Sequence, residues 1–336
     1  MVSPAHSDAN AVRRVGLLAA LVEGDTRTAY GLARDALDDG VAFDAIVEQL
    51  LAPVHAELGR RWARGELTVA DEHAASAAAA EVLTLLAGAL EPGDGPAVVV
   101  MCPDGEHHAL GAHAVAAHLR LEGARATFLG ASLPAVDLAD YVEYHDVDAV
   151  VLSASMASSL PAAADVIAVA HAHGIPVVVG GRAFDVDERR ARTIGADAHA
   201  VTLRDVSDTI ERWQHARPEI VQPDEATSDE TSSERRALRA NQHAIVDAAL
   251  RGAEVGGDAA ARLAPEVVRI VDVLDAALLV DDADLVVTHV AWLRERSLVA
   301  GDDDRLVDRL LDALAGACGP ELGRTRTLCE TARDAR

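Results

Sequence analysis

The sequence EHHALG, Glu106 to Gly111, directly follows the apolar run AVVVMC, Ala97 to Cys102. The run predicts a buried strand, and apolar residues at helical spacing predict a helix that opens at Gly111 and continues to Leu121. The six residues therefore form a strand-to-helix loop, and in open parallel sheets such loops hold ligands. A neutral His108 can ligate a metal there while Glu106 holds its other ring N–H.

Strands and helices alternate on both sides of this loop, from Ala97 to about Gln214. Strands are predicted at 97–102, 125–129, 148–152, 175–179 and 198–201, and helices at 109–122, 135–144, 161–172, 186–194 and 204–215. This alternation predicts a five-stranded parallel sheet covered by helices on both faces, in the flavodoxin-like arrangement. A dinucleotide-binding domain is the competing interpretation, but no G-x-G-x-x-G follows the first strand.

Helical patterns flank the sheet region, so the predicted fold class is multidomain α and α/β. Residues 8–92 form an N-terminal helical bundle, and a Pro- and Gly-rich turn leads into the sheet domain at 95–216. Residues 217–234 are acidic and polar and predict a flexible linker, although Ser233 could equally cap the next helix. Residues 235–336 form an all-helical domain with helices at about 235–254, 258–280, 282–299 and 302–317 and a frayed tail.

Composition excludes several classes of protein. The formal net charge is −25 and no lysine occurs, which opposes binding to a phosphate backbone. No apolar run reaches membrane-spanning length, and the first residues lack the features of a signal peptide. The 3 cysteines are too few and too scattered for a disulfide framework or a zinc cluster. We therefore expect a cytoplasmic protein with no membrane partner and no direct nucleic-acid partner.

Two further motifs follow the histidine loop in the order of a known family. Ser153 and Ser155 end the third predicted strand region, and Gly180-Gly181 follows the fourth strand. With Glu106-x-His108-x-x-Gly111, this order resembles the cobalamin-binding domains of methionine synthase and methylmalonyl-CoA mutase. The resemblance implies that His108 is the lower axial cobalt ligand and that the Ser and Gly-Gly positions line the slot for the nucleotide tail.

Details of this motif depart from the family pattern. Glu106 replaces the commoner Asp, which keeps a carboxylate with a longer reach, and Ser155 stands where Leu is usual. His107 is an alternative ligand, but its distance to Gly111 in the sequence favours His108. The predicted metal ligand is therefore His108.

The N-terminal bundle carries a second motif, in which Trp62 is followed ten residues later by Glu72-His73. This spacing resembles the Trp-x9-Glu-His signature of light-dependent cobalamin regulators, and it implies adenosylcobalamin with an indole over its upper face and Glu72 and His73 near the upper ligand. The alternative is a core tryptophan with a solvated Glu-His pair. Ala63 stands where DNA-binding relatives carry a histidine, so after illumination either water or His73 is left to occupy the upper face.

The third domain loosely resembles the globin-like sensory domains of stress-response regulators and the C-terminal domain of photocobilins, which bind cobalamin and biliverdin together. The resemblance is centred on His289-Val290-Ala291-Trp292-Leu293-Arg294. It implies biliverdin as a second chromophore, with polar or stacking contacts from a few candidate side chains, each of which could instead simply pack in a helix bundle. The candidates are His289, Trp292, Arg294, Arg269 and His243. Cys318 could form a thioether, but nothing around it marks it as reactive.

These motifs together predict a light sensor that binds adenosylcobalamin and biliverdin. Photolysis is chemistry of the cofactor, so the protein is not expected to be an enzyme. The expected output is a light-dependent change of homo-oligomeric state or of binding to a downstream signalling protein or enzyme. The alternatives are a corrinoid carrier or methyltransferase subunit, and a cofactor-free scaffold for stress signalling.

Overall fold

A five-stranded parallel sheet is preceded and followed in the sequence by helical regions, in a computed structural model that describes residues 4–88, 93–184, 188–220 and 229–335. The strands are β1 (Ala97–Pro103), β2 (Arg125–Leu133), β3 (Ala149–Ser153), β4 (Val177–Gly180) and β5 (Ala198–Ala200). Their order, β2-β1-β3-β4-β5, is that of a flavodoxin-like sheet. The fold class predicted from the sequence is therefore confirmed.

The central strands β1 and β3 consist of continuous apolar sequence, which suits their position inside the sheet. In β1 every residue after Ala97 is buried, and β3 is buried up to Leu152. Strands covered on both faces need such continuous apolar runs. The pairing places Val98 beside Ala149 and Ser153 beside Gly180, so the carboxyl ends of β1, β3 and β4 lie along one edge of the sheet.

Helices connect the strands close to the predicted bounds. They are α6 (Leu110–Leu121), α7 (Ala135–Tyr144), α8 (Leu160–Ala172), α9 (Arg189–Thr193) and α10 (Leu203–His215). The start predicted for the fourth of them, 186–194, falls partly on residues 185–187, which lie outside the described residues. The strand that differs most is β2, which continues to Leu133 instead of ending at 129, past a register shift at Gly130.

The N-terminal helices form a bundle with its own apolar core. They are α1 (Pro4–Val22), α2 (Thr26–Asp38), α3 (Phe43–Ile46), α4 (Ala52–Ala63) and α5 (Val69–Ala87), and a π-helical turn at Val47–Leu51 joins α3 to α4. A capping box between Thr68 and Asp71 starts α5. The buried face of α5 carries small residues such as Ala75 and Ala79, which allow the neighbouring helices to pack closely against it.

The C-terminal region consists of helices, with two departures from the sequence prediction. They are α11 (Asp229–Ala240), α12 (Gln242–Gly252), α13 (Gly257–Val280), α14 (Asp284–Val299), α15 (Leu306–Ala317) and α16 (Gly323–Asp334). The predicted linker at 217–234 includes 221–228, which lie outside the described residues, but its last part is already helical in α11. The tail predicted to be frayed is helix α16, because Cys329 and Ala332 are buried.

The chain divides into two compact units. The first comprises Met1–Ser153, Val169–Gly181 and Asp197–Ile220, and the second comprises Ala154–Ala168, Arg182–Ala196 and Val221–Arg336. The loops that follow β3 and β4 thus group with the C-terminal helices, although the sequence predicted a continuous sheet domain at 95–216. Within the second unit, Arg189 and Arg190 both bind Asp282, and α13 packs on the turn Ala157–Ser159. No helix in the described part of the chain is long and apolar enough to cross a bilayer.

Helix α11 is held to the start of α16 by a buried carboxylate. Glu234 is 5% exposed and accepts hydrogen bonds from both the backbone N–H and the hydroxyl of Thr325, each at 2.7 Å. Thr325 lies in the first turn of α16, where backbone N–H groups have no partner within the helix. Glu234 therefore supplies an acceptor that the end of α16 requires.

Replacing Glu234 with alanine should lower the free energy of unfolding by about 2 kcal/mol, because a buried N–H and a buried hydroxyl both lose their acceptor. Urea denaturation followed by circular dichroism measures this effect. Glu230→Ala, on an exposed position of the same helix, is the control and should change stability by less than about 0.5 kcal/mol. Equal effects of the two substitutions would contradict the capping role.

Candidate functional site

The loop after β1 holds a histidine in one orientation through a buried carboxylate. Glu106 is fully buried, and its Oε1 accepts the His108 backbone N–H at 2.9 Å and the His108 Nδ1–H at 2.6 Å. A carboxylate only accepts, so Nδ1 carries the proton, and in the neutral ring Nε2 has the lone pair. The His108 side chain is 46% exposed. The predicted pair is thus brought together, and its geometry suits a metal ligand.

Backbone geometry around the loop fixes Glu106. Gly105 has a φ of +77°, a left-handed conformation that glycine adopts without strain, and its N–H donates to Asp104 and to the Ser132 hydroxyl. The Glu106 carbonyl accepts the Ser132 N–H at 2.9 Å. Ser132 reaches this position because the register of β2 shifts at Gly130. The end of β2 therefore supports the loop that carries Glu106 and His108.

The predicted slot residues lie at the ends of β3 and β4. A side chain at Gly111 would come within ordinary contact, 3.6 Å, of the Ser153 hydroxyl. A Cβ at Gly180 would lie 3.0 Å from the Ala200 carbonyl, and Gly181 has a φ of +104°. Gly180 therefore allows a close approach of the Ala200 carbonyl, whereas Gly111 leaves room for a small side chain. Ser155 is partly exposed in the loop after β3, which belongs to the second unit.

The bundle motif occupies the end of α4 and the beginning of α5. Trp62 is partly exposed one residue before the end of α4, and Ala63 follows it. The Glu72 side chain is 21% exposed and that of His73 is 74% exposed, with 3.7 Å between His73 Nε2 and Glu72 Oε2. The Glu72 side chain is thus mostly buried, whereas the His73 side chain is mostly exposed to solvent.

Two side chains that the sequence motifs did not indicate support Glu72. The Ser76 hydroxyl donates to Glu72 Oε1 at 2.7 Å, and His55 Nε2 lies 3.0 Å from the Ser76 oxygen. The Glu72–Ser76 pair has the i,i+4 spacing of helix neighbours and could have been found in the sequence. His55 could not, since its contact depends on how α4 packs against α5.

The bundle and the sheet meet within the first unit where α5 packs on α6. The His113 ring stacks on Phe128 with 5.4 Å between centroids, and its Nε2 lies 3.4 Å from the Thr84 hydroxyl. Burial lowers the pKa of His113, so the ring is neutral near pH 7. His113 is one turn along the helix that the His108 loop opens. The packing therefore joins the bundle to the first turn of α6.

In the C-terminal region, His289 and Trp292 lie together on α14. Their rings are 5.7 Å apart, and burial lowers the pKa of His289 to about 4, which makes it neutral. Its Nε2 is buried without a hydrogen-bond partner among the described residues. An unpaired buried nitrogen of this kind is costly, so it is a position where a bound polar group would be stabilising.

The other residues predicted to contact a bilin have different surroundings. Arg294 binds Asp308 and the carbonyls of Ala332, Arg333 and Ala335, which favours a structural role at the end of α16. Arg269 pairs with Glu266, and His243 is exposed on α12. Cys318 is buried, and burial raises its pKa to about 11, so its thiol is protonated and unreactive near pH 7.

Among the described residues, no group of three or more His, Cys, Asp or Glu side chains is arranged to hold a metal ion. A bare ion such as zinc would need several protein ligands. In the part of the chain that the structure describes, His108 and Glu106 form a pair and not such a cluster.

Comparison with known protein families finds two cobalamin-related matches, one that contains the His108 loop and one that precedes it. Residues 96–207 match the B12 binding domain, and residues 14–87 match a second B12 binding domain model. The chain is 36% identical over 141 residues to the HTH-type transcriptional repressor CarA of Myxococcus xanthus, covering 41% of this chain and 47% of that protein. It is 36% identical over 139 residues to CarH of the same organism, covering 40% and 46%. The chain spans about half the length of the curated relatives it matches.

A search of solved structures gives weaker similarity. The Methanosarcina barkeri monomethylamine corrinoid protein is 21% identical with a TM-score of 0.48, covering 58% of this chain and 96% of that one. A cobalamin-binding protein from Desulfitobacterium hafniense is 21% identical with a TM-score of 0.34, covering 61% and 98%. The similarity of residues 96–207 to the B12 binding domain therefore rests on the sequence match and not on these structures.

Proposed function

We propose that this chain is a light sensor that binds adenosylcobalamin, with His108 as the lower ligand of cobalt and Trp62 over the upper face of the corrin. The observation that carries the proposal is the buried carboxylate of Glu106, which holds His108 through Nδ1 at 2.6 Å and leaves Nε2 with its lone pair. Metal-ligating histidines are commonly oriented in this way by a carboxylate on the other nitrogen.

The residues present fit this cofactor. A corrin supplies the equatorial nitrogens of cobalt, so one imidazole is a sufficient ligand from the protein. Gly111, Ser153, Gly180 and Gly181, all in the first unit, would line the slot for the nucleotide tail, with Ser153 paired beside Gly180 at the carboxyl end of the sheet. The B12-binding match over 96–207 supports the same assignment. Cobalamin is therefore the ligand class that the loop suits best.

The proposed role of the bundle is to cover the upper ligand. The indole of Trp62 offers a flat, rigid apolar surface, and Glu72 and His73 offer polar contacts to an adenosyl group. The match of residues 14–87 to a B12-binding model supports a role for these helices in cofactor binding. When bound, the cofactor supplies a cobalt–carbon bond that light can break.

Signalling would follow from the contacts that the bundle loses. A ligand shifts an equilibrium only through interactions that differ between two states, and departure of the upper group removes those made by Trp62 and Glu72. The bundle would then repack against the sheet, and the oligomeric state or partner binding would change. Under this proposal the chain acts as a switch and not as an enzyme.

We further propose that the C-terminal helices bind biliverdin. The unpartnered Nε2 of His289 and the adjacent Trp292 ring support this, since a tetrapyrrole offers polar pyrrole nitrogens and a flat surface for stacking. Arg294 would support the fold of this region and would not contact the chromophore, because its guanidinium group donates to Asp308 and to the carbonyl of Arg333. The chromophore contacts therefore centre on α14.

His108→Ala should abolish axial histidine ligation in protein loaded with cobalamin. Electron paramagnetic resonance of the cobalt(II) form should show splitting from one axial nitrogen in the wild type and none in this variant. His107→Ala, the exposed neighbour, is the control and should keep the splitting. Retention of the splitting in His108→Ala together with its loss in His107→Ala would transfer the ligand role to His107.

Green light should change the elution volume of protein loaded with adenosylcobalamin in size-exclusion chromatography. Trp62→Ala should weaken binding of adenosylcobalamin in the dark by about tenfold, since the flat contact is lost, and Trp62→Phe should retain most of it. Equilibrium titration by absorption measures both variants. Tight cobalamin binding with no effect of light on size would favour the corrinoid carrier instead.

Biliverdin added to the protein should give a red-absorbing band that survives gel filtration. His289→Leu should weaken this binding, because the buried nitrogen that would contact the chromophore is removed. His243→Ala, on an exposed position of α12, should bind as the wild type does. If the wild type takes up no biliverdin, the bilin proposal is wrong and the cobalamin proposal is unaffected.

A further inference from the structure

Three polar side chains form a hydrogen-bonded chain at the junction of α4 and α5, here named the cap relay: His55, Ser76 and Glu72. His55 Nε2 lies 3.0 Å from the Ser76 hydroxyl oxygen, which lies 2.7 Å from Glu72 Oε1. All three residues are partly buried. The relay thus connects the two helices that carry the predicted upper-face residues.

The proton on the serine sets the direction of the relay. A hydroxyl has one proton and can accept as well as donate. Because Ser76 donates to the Glu72 carboxylate, its oxygen accepts from His55, which must carry a proton on Nε2. His55 is therefore the donor at the start of the relay, and the carboxylate of Glu72 is the acceptor at its end.

This arrangement leaves the two oxygens of Glu72 in different situations. Oε1 is held by Ser76, whereas Oε2 is 3.7 Å from His73 Nε2, which is beyond hydrogen-bond distance. The Glu72 side chain is 21% exposed, so it lies at the boundary between the helix packing and solvent. Oε2 is therefore the oxygen best placed to accept from a bound molecule.

His55 and Trp62 belong to the same side of α4. A separation of seven residues corresponds to two helical turns, which places their side chains on one face. Glu72 and Ser76 are one turn apart on α5. His55 and Trp62 therefore share a face of α4, and the position of Glu72 depends on the packing of α4 against α5.

We infer that His55 and Ser76 are positioning residues, which hold Glu72 in one rotamer so that Oε2 accepts a hydrogen bond from a hydroxyl of a nucleoside upper ligand. This inference rests on the proposed function and names the residues that select a ribose-bearing ligand. The relay acts through Glu72 and does not itself touch the cofactor. A cobalamin with a small upper ligand has no ribose to offer, so its affinity does not depend on the relay.

The test compares adenosylcobalamin with hydroxocobalamin in dark equilibrium titrations of the full chain. Ser76→Ala and His55→Leu should weaken adenosylcobalamin binding by about tenfold, or about 1.4 kcal/mol, and leave hydroxocobalamin binding unchanged. His55→Gln should restore affinity, because its amide N–H can replace the Nε2 donor. Glu81→Ala removes a polar side chain from an exposed position of the same helix outside the relay and should leave both affinities unchanged.

A second measurement needs no cofactor. Nitrogen-15 correlation spectra of the ligand-free protein should show His55 with its proton on Nε2, and Ser76→Ala should alter that signal, because the ring loses its acceptor. A His55 ring protonated only on Nδ1 in the wild type would overturn the direction of the relay and with it the inference.

The titrations separate failure of the inference from failure of the proposed function. A wild type that binds neither cobalamin removes the function and the inference together. A wild type that binds both, with Ser76→Ala and His55→Leu unaltered, overturns the inference alone. Equal losses for the two cobalamins would mean that the relay only supports the bundle, and a His55→Gln variant as weak as His55→Leu would exclude the donor role.

Discussion

The buried carboxylate of Glu106 is the constraint on which the candidate site depends. A fully buried carboxylate needs hydrogen-bond donors, and two of its donors come from His108, through the backbone N–H and through Nδ1. That requirement fixes the rotamer and the tautomer of the histidine together. The buried strand β1 brings the carboxylate there, and the turn at Gly105 and the end of β2 keep it there.

Much of the sheet could be predicted because the sequence features that mark each strand lie within that strand or directly after it. The apolar runs of β1 and β3 and the glycines after β4 identify strand ends within a few residues, and Glu106 and His108 are two residues apart. The sequence does not predict the extension of β2 to Leu133, because glycine is uncommon inside strands and Gly130 interrupts the pattern. It is accommodated by a left-handed conformation at a register shift, which only the neighbouring strand explains.

The features that the sequence did not predict depend on contacts between distant segments. Helix α16 is ordered because Cys329 and Ala332 are buried and Arg294 binds the carbonyls near its end, none of which has a short-range signal. Likewise, Arg294 is a candidate bilin contact in the sequence, but its side chain binds Asp308 and the carbonyl of Arg333, which lies 39 residues further along the chain. The contact of His55 with Ser76 could not be predicted either, since it depends on the packing of α4 against α5.

The two halves of the proposed cofactor site therefore differ in how they are built. The lower half is set by a loop of a few residues on a rigid sheet, so it should persist whatever the bundle does. The upper half depends on the packing of α4 against α5, where Ser76 holds Glu72 and His55 of α4 contacts Ser76. Helix packing of this kind can adopt alternative arrangements more easily than a central strand. Loss of an upper ligand would consequently alter the packing of α4 against α5. The His108 loop would meanwhile continue to hold the cofactor.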